Sequence, residues 1–221
     1  MYSDLKPENL LIGSDNLVKI ADFGLAVYHG TPRPLTAEVV TIWYRCPELF
    51  FGARHYSFGV DVWSIGCIFA EIMLKTPLFQ GRNDSEIEQL GKIFNLLGNY
   101  MPCFSIRFIP PHTLLPGEGT PRAESWKDAN LLPNYVEFEH RDPLDLSDLL
   151  KFQQPEAKDL LLEMLVLNPL DRISASAALS HAYFKTGPPP TFPADLPKTG
   201  AAAAVVEDIG IENIPLKRMK G

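Results

Sequence analysis

A chain of 221 residues with 46% hydrophobic and 21% charged side chains can bury one ordinary core, which excludes a fibrous or wholly disordered protein. Its net charge of -7 argues against broad nucleic-acid binding. No apolar run reaches membrane-spanning length, and Cys46, Cys67 and Cys103 form neither a metal-type spacing nor an even disulfide framework, which points to a reducing cytosolic or nuclear compartment.

The chain opens on a polar motif, Asp4-Leu5-Lys6-Pro7-Glu8-Asn9, with no signal-peptide pattern around it. Leu10-Leu11-Ile12 and Leu17-Val18-Lys19-Ile20 flank the turn Gly13-Ser14-Asp15-Asn16, and this pattern predicts a hairpin. The hairpin would hold Asn9 on one side and Asp22-Phe23-Gly24 on the other. Residues 25–40 contain two prolines and few apolar anchors and read as a loop. From Asp61 to Leu74 almost every residue is apolar, which predicts a helix buried on every side. Ser64, Gly66 and Glu71 interrupt it and exclude a membrane span.

Ser85 and Glu88 have the spacing of a capping box at the start of a further helix. Ile87, Leu90, Phe94 and Leu97 then recur at helical spacing, and Gly98 suits the stop. Residues 99–133 are rich in proline and glycine and show no period. Pro155 to Leu167 predicts an amphipathic helix with Leu160, Leu161, Met164 and Leu165 on one face, and Ser174 to Phe184 a last short one. Residues 186–221 turn Pro-rich, then Ala-rich, and end in Lys217-Arg218-Met219-Lys220, the composition of a disordered tail. No internal repeat is visible.

The chemistry lies in the first motif and its sequel. An Asp that accepts or orients the proton of a hydroxyl, an Asn five residues on, and the Asp of Asp-Phe-Gly are the parts of a phosphoryl-transfer site. Asp4 is the candidate for the first role, and Lys6 for neutralising the phosphoryl group in flight. Asn9 and Asp22 offer the oxygen ligands that suit Mg²⁺ beside the phosphates of ATP. The first motif alone would also suit a polar turn. Asp-Phe-Gly and Cys46-Pro47-Glu48 in the same order favour the catalytic reading.

These motifs resemble the C-terminal lobe of a eukaryotic Ser/Thr protein kinase. The run Val39-Val40-Thr41-Ile42-Trp43-Tyr44-Arg45-Cys46-Pro47-Glu48 is similar to the cyclin-dependent kinase family. Phe50-Phe51-Gly52-Ala53-Arg54 and Leu132-Pro133-Asn134-Tyr135-Val136 resemble its activating branch, which also serves the transcription factor TFIIH. The resemblance implies a mainly α-helical fold, a kinase C-lobe with a small β-hairpin at the catalytic cleft. It implies ATP and Mg²⁺ as cofactors, a cyclin as partner, protein substrates with Ser/Thr-Pro, and neither direct nucleic-acid nor membrane binding. It also assigns roles. Thr41 would bond toward Asp4 and Lys6. Glu48 would pair with Arg172, and Asp61 would cap the catalytic-loop backbone. Val39, Val40 and Arg45 would shape a pocket for the substrate proline, and Thr36 would be the activating phosphosite.

The chain departs from the family pattern in four places. Tyr2-Ser3 stands where His-Arg is usual, and Val27 where Arg or Lys often follows Asp-Phe-Gly-Leu-Ala. No Gly-rich loop, phosphate-binding Lys strand or adenine hinge is found in the 221 residues. The expectation is therefore a kinase domain over residues 1–185 with the upper β-rich lobe absent, and no kinase activity from this chain alone. Joining Leu97-Gly98 to Thr120-Pro121 would restore the family's Leu-Gly-Thr-Pro, so residues 99–119 read as an insertion, either a translated intron or a loop of the protein's own. A non-catalytic interaction module is the competing function.

Overall fold

The computed structural model describes residues 1–28, 42–81, 85–98, 126, 128–138 and 154–197. Among them the chain is mainly helical, with one two-stranded antiparallel sheet. No described helix is long and apolar enough to cross a membrane.

Strands β1 (Leu10–Ile12) and β2 (Val18–Ile20) pair in the register Leu10 with Ile20, Leu11 with Lys19 and Ile12 with Val18. The turn explains the register. Asn16 N–H donates to Gly13 O at 2.9 Å, and Gly13 N–H donates to Leu17 O at 2.9 Å. Asn16 sits at φ 59°, a left-handed conformation that Asn tolerates better than most side chains. Leu17, expected in the strand, belongs to this turn.

Five α-helices are described: α1 (Pro47–Phe50), α2 (Gly59–Leu74), α3 (Glu86–Leu97), α4 (Pro155–Met164) and α5 (Ala175–Leu179). Helix α2 is the axis of the core. Trp63 is fully buried on it and stacks on Phe79, ring centroids 6.0 Å apart. Gly66 lets α4 approach closely: a Cβ there would lie 2.9 Å from Leu165 Cδ2 and 3.1 Å from Met164 Cβ. The expectation that α2 is buried on every side fails at Ile65 and Ile72, both exposed. They lie seven residues apart, two turns of one face, and composition alone cannot distinguish such a face from its opposite.

Helix α3 buries Leu90, Phe94 and Leu97 but leaves Ile87 exposed. At its cap Ser85 Oγ accepts from Glu88 N–H at 3.4 Å, one bond of the expected box, and the Glu88 side chain lies 3.6 Å from Lys92. Gly98 ends it at φ 59°. On α4, Leu160, Leu161, Met164 and the following Leu165 are buried, as the periodicity predicts.

A second aromatic cluster forms around Phe51, whose ring lies 6.2 Å from Phe94, 5.8 Å from Trp126 and 5.2 Å from Tyr135. Asn134 N–H donates to Phe51 O at 3.0 Å, and Gly52 turns at φ 78° against the Asn134 side chain. The segments around Phe51 and Asn134, far apart in sequence, thus meet in space.

Residues 186–197, the first part of the segment read as a disordered tail, are described and include a 3-10 turn at Pro193–Asp195. Residues 99–119, read as an insertion, and residues 198–221 lie outside the described residues.

Candidate functional site

The polar motif forms a tight loop that ends in a 3-10 turn at Pro7–Asn9. Pro7 presets the turn's first φ and needs no hydrogen-bond partner for a missing N–H. Asn9 N–H donates to Lys6 O at 3.0 Å, which closes the turn. Inside it, Asp4 is nearly buried and its carboxylate is held from two sides. Lys6 Nζ lies 3.0 Å from Asp4 Oδ2, and Asn9 Nδ2 donates to Asp4 Oδ2 at 3.1 Å and to Asp4 O at 2.9 Å. Both cationic and amide contacts fall on one carboxylate oxygen. Among the described residues Oδ1 has no such contact, which leaves it as the oxygen that can receive a further proton donor.

The same geometry orients Asn9. Its amide hydrogens serve Asp4, so Oδ1 is its available ligand atom. Asn9 O accepts from Ala21 N–H at 2.9 Å, which continues the strand pairing and brings the two ends of the hairpin together. Asp22 follows directly, exposed and left-handed at φ 59°, with Oδ1 accepting from Gly24 N–H at 3.1 Å. Asn9 and Asp22 are thus oxygen donors on neighbouring backbone at the root of one hairpin. No group of three or more His, Cys, Asp or Glu side chains that could hold a metal gathers among the described residues. A cation here would need oxygens from a bound substrate as well, a donor set suited to Mg²⁺, which keeps few protein ligands and takes phosphate oxygens.

Asp61 stands in the first turn of α2 and accepts two backbone bonds from the loop. Tyr2 N–H reaches its Oδ2 at 2.9 Å and Ser3 N–H its Oδ1 at 2.8 Å. Ser3 pays for the resulting path with a left-handed φ of 68° and a fully buried hydroxyl that has no partner. The role of Tyr2 is not read from the sequence. Its hydroxyl donates to Ala21 O, and its ring meets Phe23 edge-on at 5.4 Å. Burial, then the nearby carboxylates of Asp22, Asp4 and Asp61, push its phenol pKa up, so it stays a donor. A bulky aromatic just ahead of the loop was the only sequence signal for this tie. Val27 N–H also donates to Met1 O at 3.0 Å, which holds the segment after Asp-Phe-Gly beside the loop.

Glu48 and Arg172 meet in the core below the site. Arg172 Nη1 donates to Glu48 Oε1 at 2.7 Å and Nη2 to Oε2 at 2.9 Å, both side chains being almost wholly buried. Arg172 Nε donates to Val166 O, Nη1 to Gly59 O and Nη2 to Leu167 O, so all the guanidinium donors are used. Burial pulls the Arg172 pKa down, but Glu48 outweighs it and the net shift is up. Arg45 bridges to Glu86 at the start of α3 at 2.7 Å and lies 5.3 Å from the Phe50 ring centroid. Thr36, Val39, Val40 and Thr41 lie outside the described residues.

A family model described as protein kinase domain matches residues 1–184. The chain is 43% identical over 207 residues to the serine/threonine-protein kinase crk1 of Schizosaccharomyces pombe, which covers 93% of this chain and 55% of that protein. It is 43% identical over 198 residues to cyclin-dependent kinase 7 of Dictyostelium discoideum, covering 89% and 49% respectively. Among solved structures, a chain of the CAK complex from Chaetomium thermophilum bound to ATP-γ-S aligns with a TM-score of 0.75 at 38% identity, over 90% of this chain and 56% of that one. The chain therefore spans about half the length of the relatives it matches.

Proposed function

We propose, since this chain belongs to the protein kinase family, that it supplies the catalytic loop and metal ligands of a cyclin-dependent Ser/Thr kinase of the activating type. The observation that carries the reading is the Asp4 carboxylate, gripped on Oδ2 by Lys6 and Asn9 with no contact to Oδ1 among the described residues. Asp4 Oδ1 accepts the bond of a substrate Ser or Thr hydroxyl and takes its proton as the oxygen bonds to the γ-phosphorus of ATP and the bond from that phosphorus to the bridging oxygen breaks, leaving ADP. Lys6 sits where it offsets charge on the transferred group. Asn9 Oδ1 and Asp22 would hold Mg²⁺, and the ion would supply neutralisation of phosphate charge. Asp61 and Tyr2 fix the loop so that this arrangement exists before substrate arrives, and preorganisation of this kind is where catalysis by positioning gains most.

The domain reading is the helical lobe over residues 1–185, since these residues contain the catalytic loop and Asp-Phe-Gly but no Gly-rich loop or phosphate-binding Lys strand. The 221 residues alone are then inactive, because the Lys–Glu pair of the upper lobe and the Mg²⁺ site must both be in place for turnover. Substrates are proteins with Ser/Thr-Pro, through a pocket made by Val39, Val40 and Arg45. Thr41 steadies the hydroxyl, and Thr36 is the activating phosphosite. The partner is a cyclin, and the setting is nuclear or cytoplasmic, in transcription or cell-cycle control, as the relatives' names suggest.

The test joins the upper lobe of the Chaetomium kinase ahead of residue 1, with its cyclin added, and follows phosphate transfer to a Ser-Pro peptide and its Ser-Ala counterpart. Transfer to Ser-Pro in the fusion, and none from the 221-residue chain, is the expected result. Equal use of both peptides would remove the proline reading, and activity of the chain alone would remove the lobe reading. A second reading, a non-catalytic interaction module, draws on the exposed apolar side chains of the hairpin, Leu11, Ile12, Leu17, Val18 and Ile20. It gains if the fusion folds and binds ATP yet transfers nothing.

A further inference from the structure

The hairpin that joins Asn9 to Asp22 is tethered at its far end to the opposite end of the chain. Asn16 Nδ2, at the hairpin tip, donates to Pro193 O at 2.7 Å and to Leu196 O at 3.4 Å. The partner segment is a single 3-10 turn, Pro193–Asp195, closed by Leu196 N–H on Pro193 O at 3.4 Å and Asp195 N–H on Phe192 O at 2.9 Å. Pro193 O uses both lone pairs, one for its own turn and one for Asn16. A second anchor lies upstream. Gly187 turns at φ +102°, and a Cβ there would fall 2.5 Å from Gln154 Nε2, at the N-cap of α4. The positive φ there favours glycine. The chain leaves the helical core by pressing on Gln154, then crosses to the hairpin tip.

We propose that residues 187–196 are a strap that docks on the hairpin tip through Asn16 and restrains the hairpin. Composition marks this segment as a tail, yet its backbone turns at Gly187 close to Gln154 and is hydrogen-bonded at the hairpin tip through Asn16. The contact at the tip is donated by one side chain to two carbonyls, so removing that donor releases the strap without touching the strand pairing. The strap makes the C-terminal end of the domain a handle on the hairpin: whatever lifts residues 193–196 frees the tip that lies between the roots at Asn9 and Asp22. This holds whether or not those roots bind metal.

Amide hydrogen exchange on the 221-residue chain tests it, comparing the parent with Asn16→Asp and Gly187→Ala. Asp tolerates the left-handed φ and matches Asn in shape, but it has no hydrogen to donate. The parent should protect the amides of Asn16, Asp195 and Leu196. Asn16→Asp should speed exchange at Asp195 and Leu196 and at Gly13 and Asn16 by roughly fivefold, the loss of about one hydrogen bond, with α2 and α3 unchanged. Gly187→Ala should give the same pattern from the other anchor. Exchange of the parent tail at the free-peptide rate would overturn docking. A released tail with an unchanged hairpin would overturn restraint, and no change in either segment would overturn both.

Discussion

Replacing Arg172 by lysine keeps the charge and removes the shape. Arg172 makes five hydrogen bonds, two to Glu48 and one each to Val166 O, Gly59 O and Leu167 O, and its guanidinium lies 5.1 Å from the Trp63 ring centroid. An ammonium has three donors on one point and cannot span that set. At least two buried acceptors then lose their partner, at about 1–3 kcal/mol each. We expect Arg172→Lys to cost about 3 kcal/mol. Arg172→Met leaves Glu48 buried without a counter-charge and should cost about 3–5 kcal/mol, a large share of the 5–15 kcal/mol typical of a whole domain. Glu48→Met with Arg172→Met removes both charges and should recover much of that loss, because the pair no longer has to be desolvated. Urea unfolding followed by tryptophan fluorescence gives each value. An Arg172→Lys midpoint within the error of the parent would show that the fork geometry is not what holds this part of the core.

Gly66→Ala puts a methyl group against Leu165 and Met164 and should destabilise by about 1–3 kcal/mol, read as a lower urea midpoint; an unchanged midpoint would mean that α2 and α4 are not in close contact. Asp61→Asn turns one of the two accepting oxygens into an NH2 that cannot accept, and should cost roughly 2 kcal/mol and speed exchange at the Tyr2 and Ser3 amides. Ser3→Gly relieves the left-handed φ and deletes a hydroxyl that has no partner, so it should stabilise by about 1 kcal/mol; a loss would mean that the hydroxyl is satisfied in solution. Burial pushes Cys46, Cys67 and Tyr44 up, and Tyr56 up to about 12. Each of these groups is held neutral in the folded chain and ionises more readily when unfolded. Their contribution is therefore complete below the ordinary thiol value of 9.0 and is lost as pH rises from there through the folded values. The urea midpoint should fall between pH 9 and pH 11, and a flat or rising midpoint would contradict this.

The hairpin was legible because strand composition, a Gly-Ser-Asp-Asn turn and the two flanking motifs all agree locally. The α4 face and the stop at Gly98 follow from local periodicity in the same way. What could not be read is what joins distant segments. The contact between Glu48 and Arg172 spans 124 residues, and no spacing encodes it; it was expected only through family resemblance. Asp61 beneath the loop is the same case. Tyr2 offers only the weak signal of an aromatic ahead of the loop, because its bond to Ala21 O depends on how the hairpin folds back. In residues 186–197 Pro-rich composition predicts a lack of core, and the contact seen there is a side-chain hydrogen bond from Asn16 rather than a core. In α2, an apolar sequence does not reveal that the face of Ile65 and Ile72 is left open.

Phosphate transfer by the upper-lobe fusion, with Asp4→Asn compared against Asp15→Asn, tests the central claim most directly. Both substitutions remove one carboxylate charge, but Asp4 lies between Lys6 and Asn9 while Asp15 is in the exposed hairpin turn. The account predicts that Asp4→Asn lowers kcat by roughly 10²–10⁴-fold and that Asp15→Asn leaves it near the parent value. Comparable rates for Asp4→Asn and the parent would contradict it, and the loop would then be a structural turn that only resembles a catalytic one.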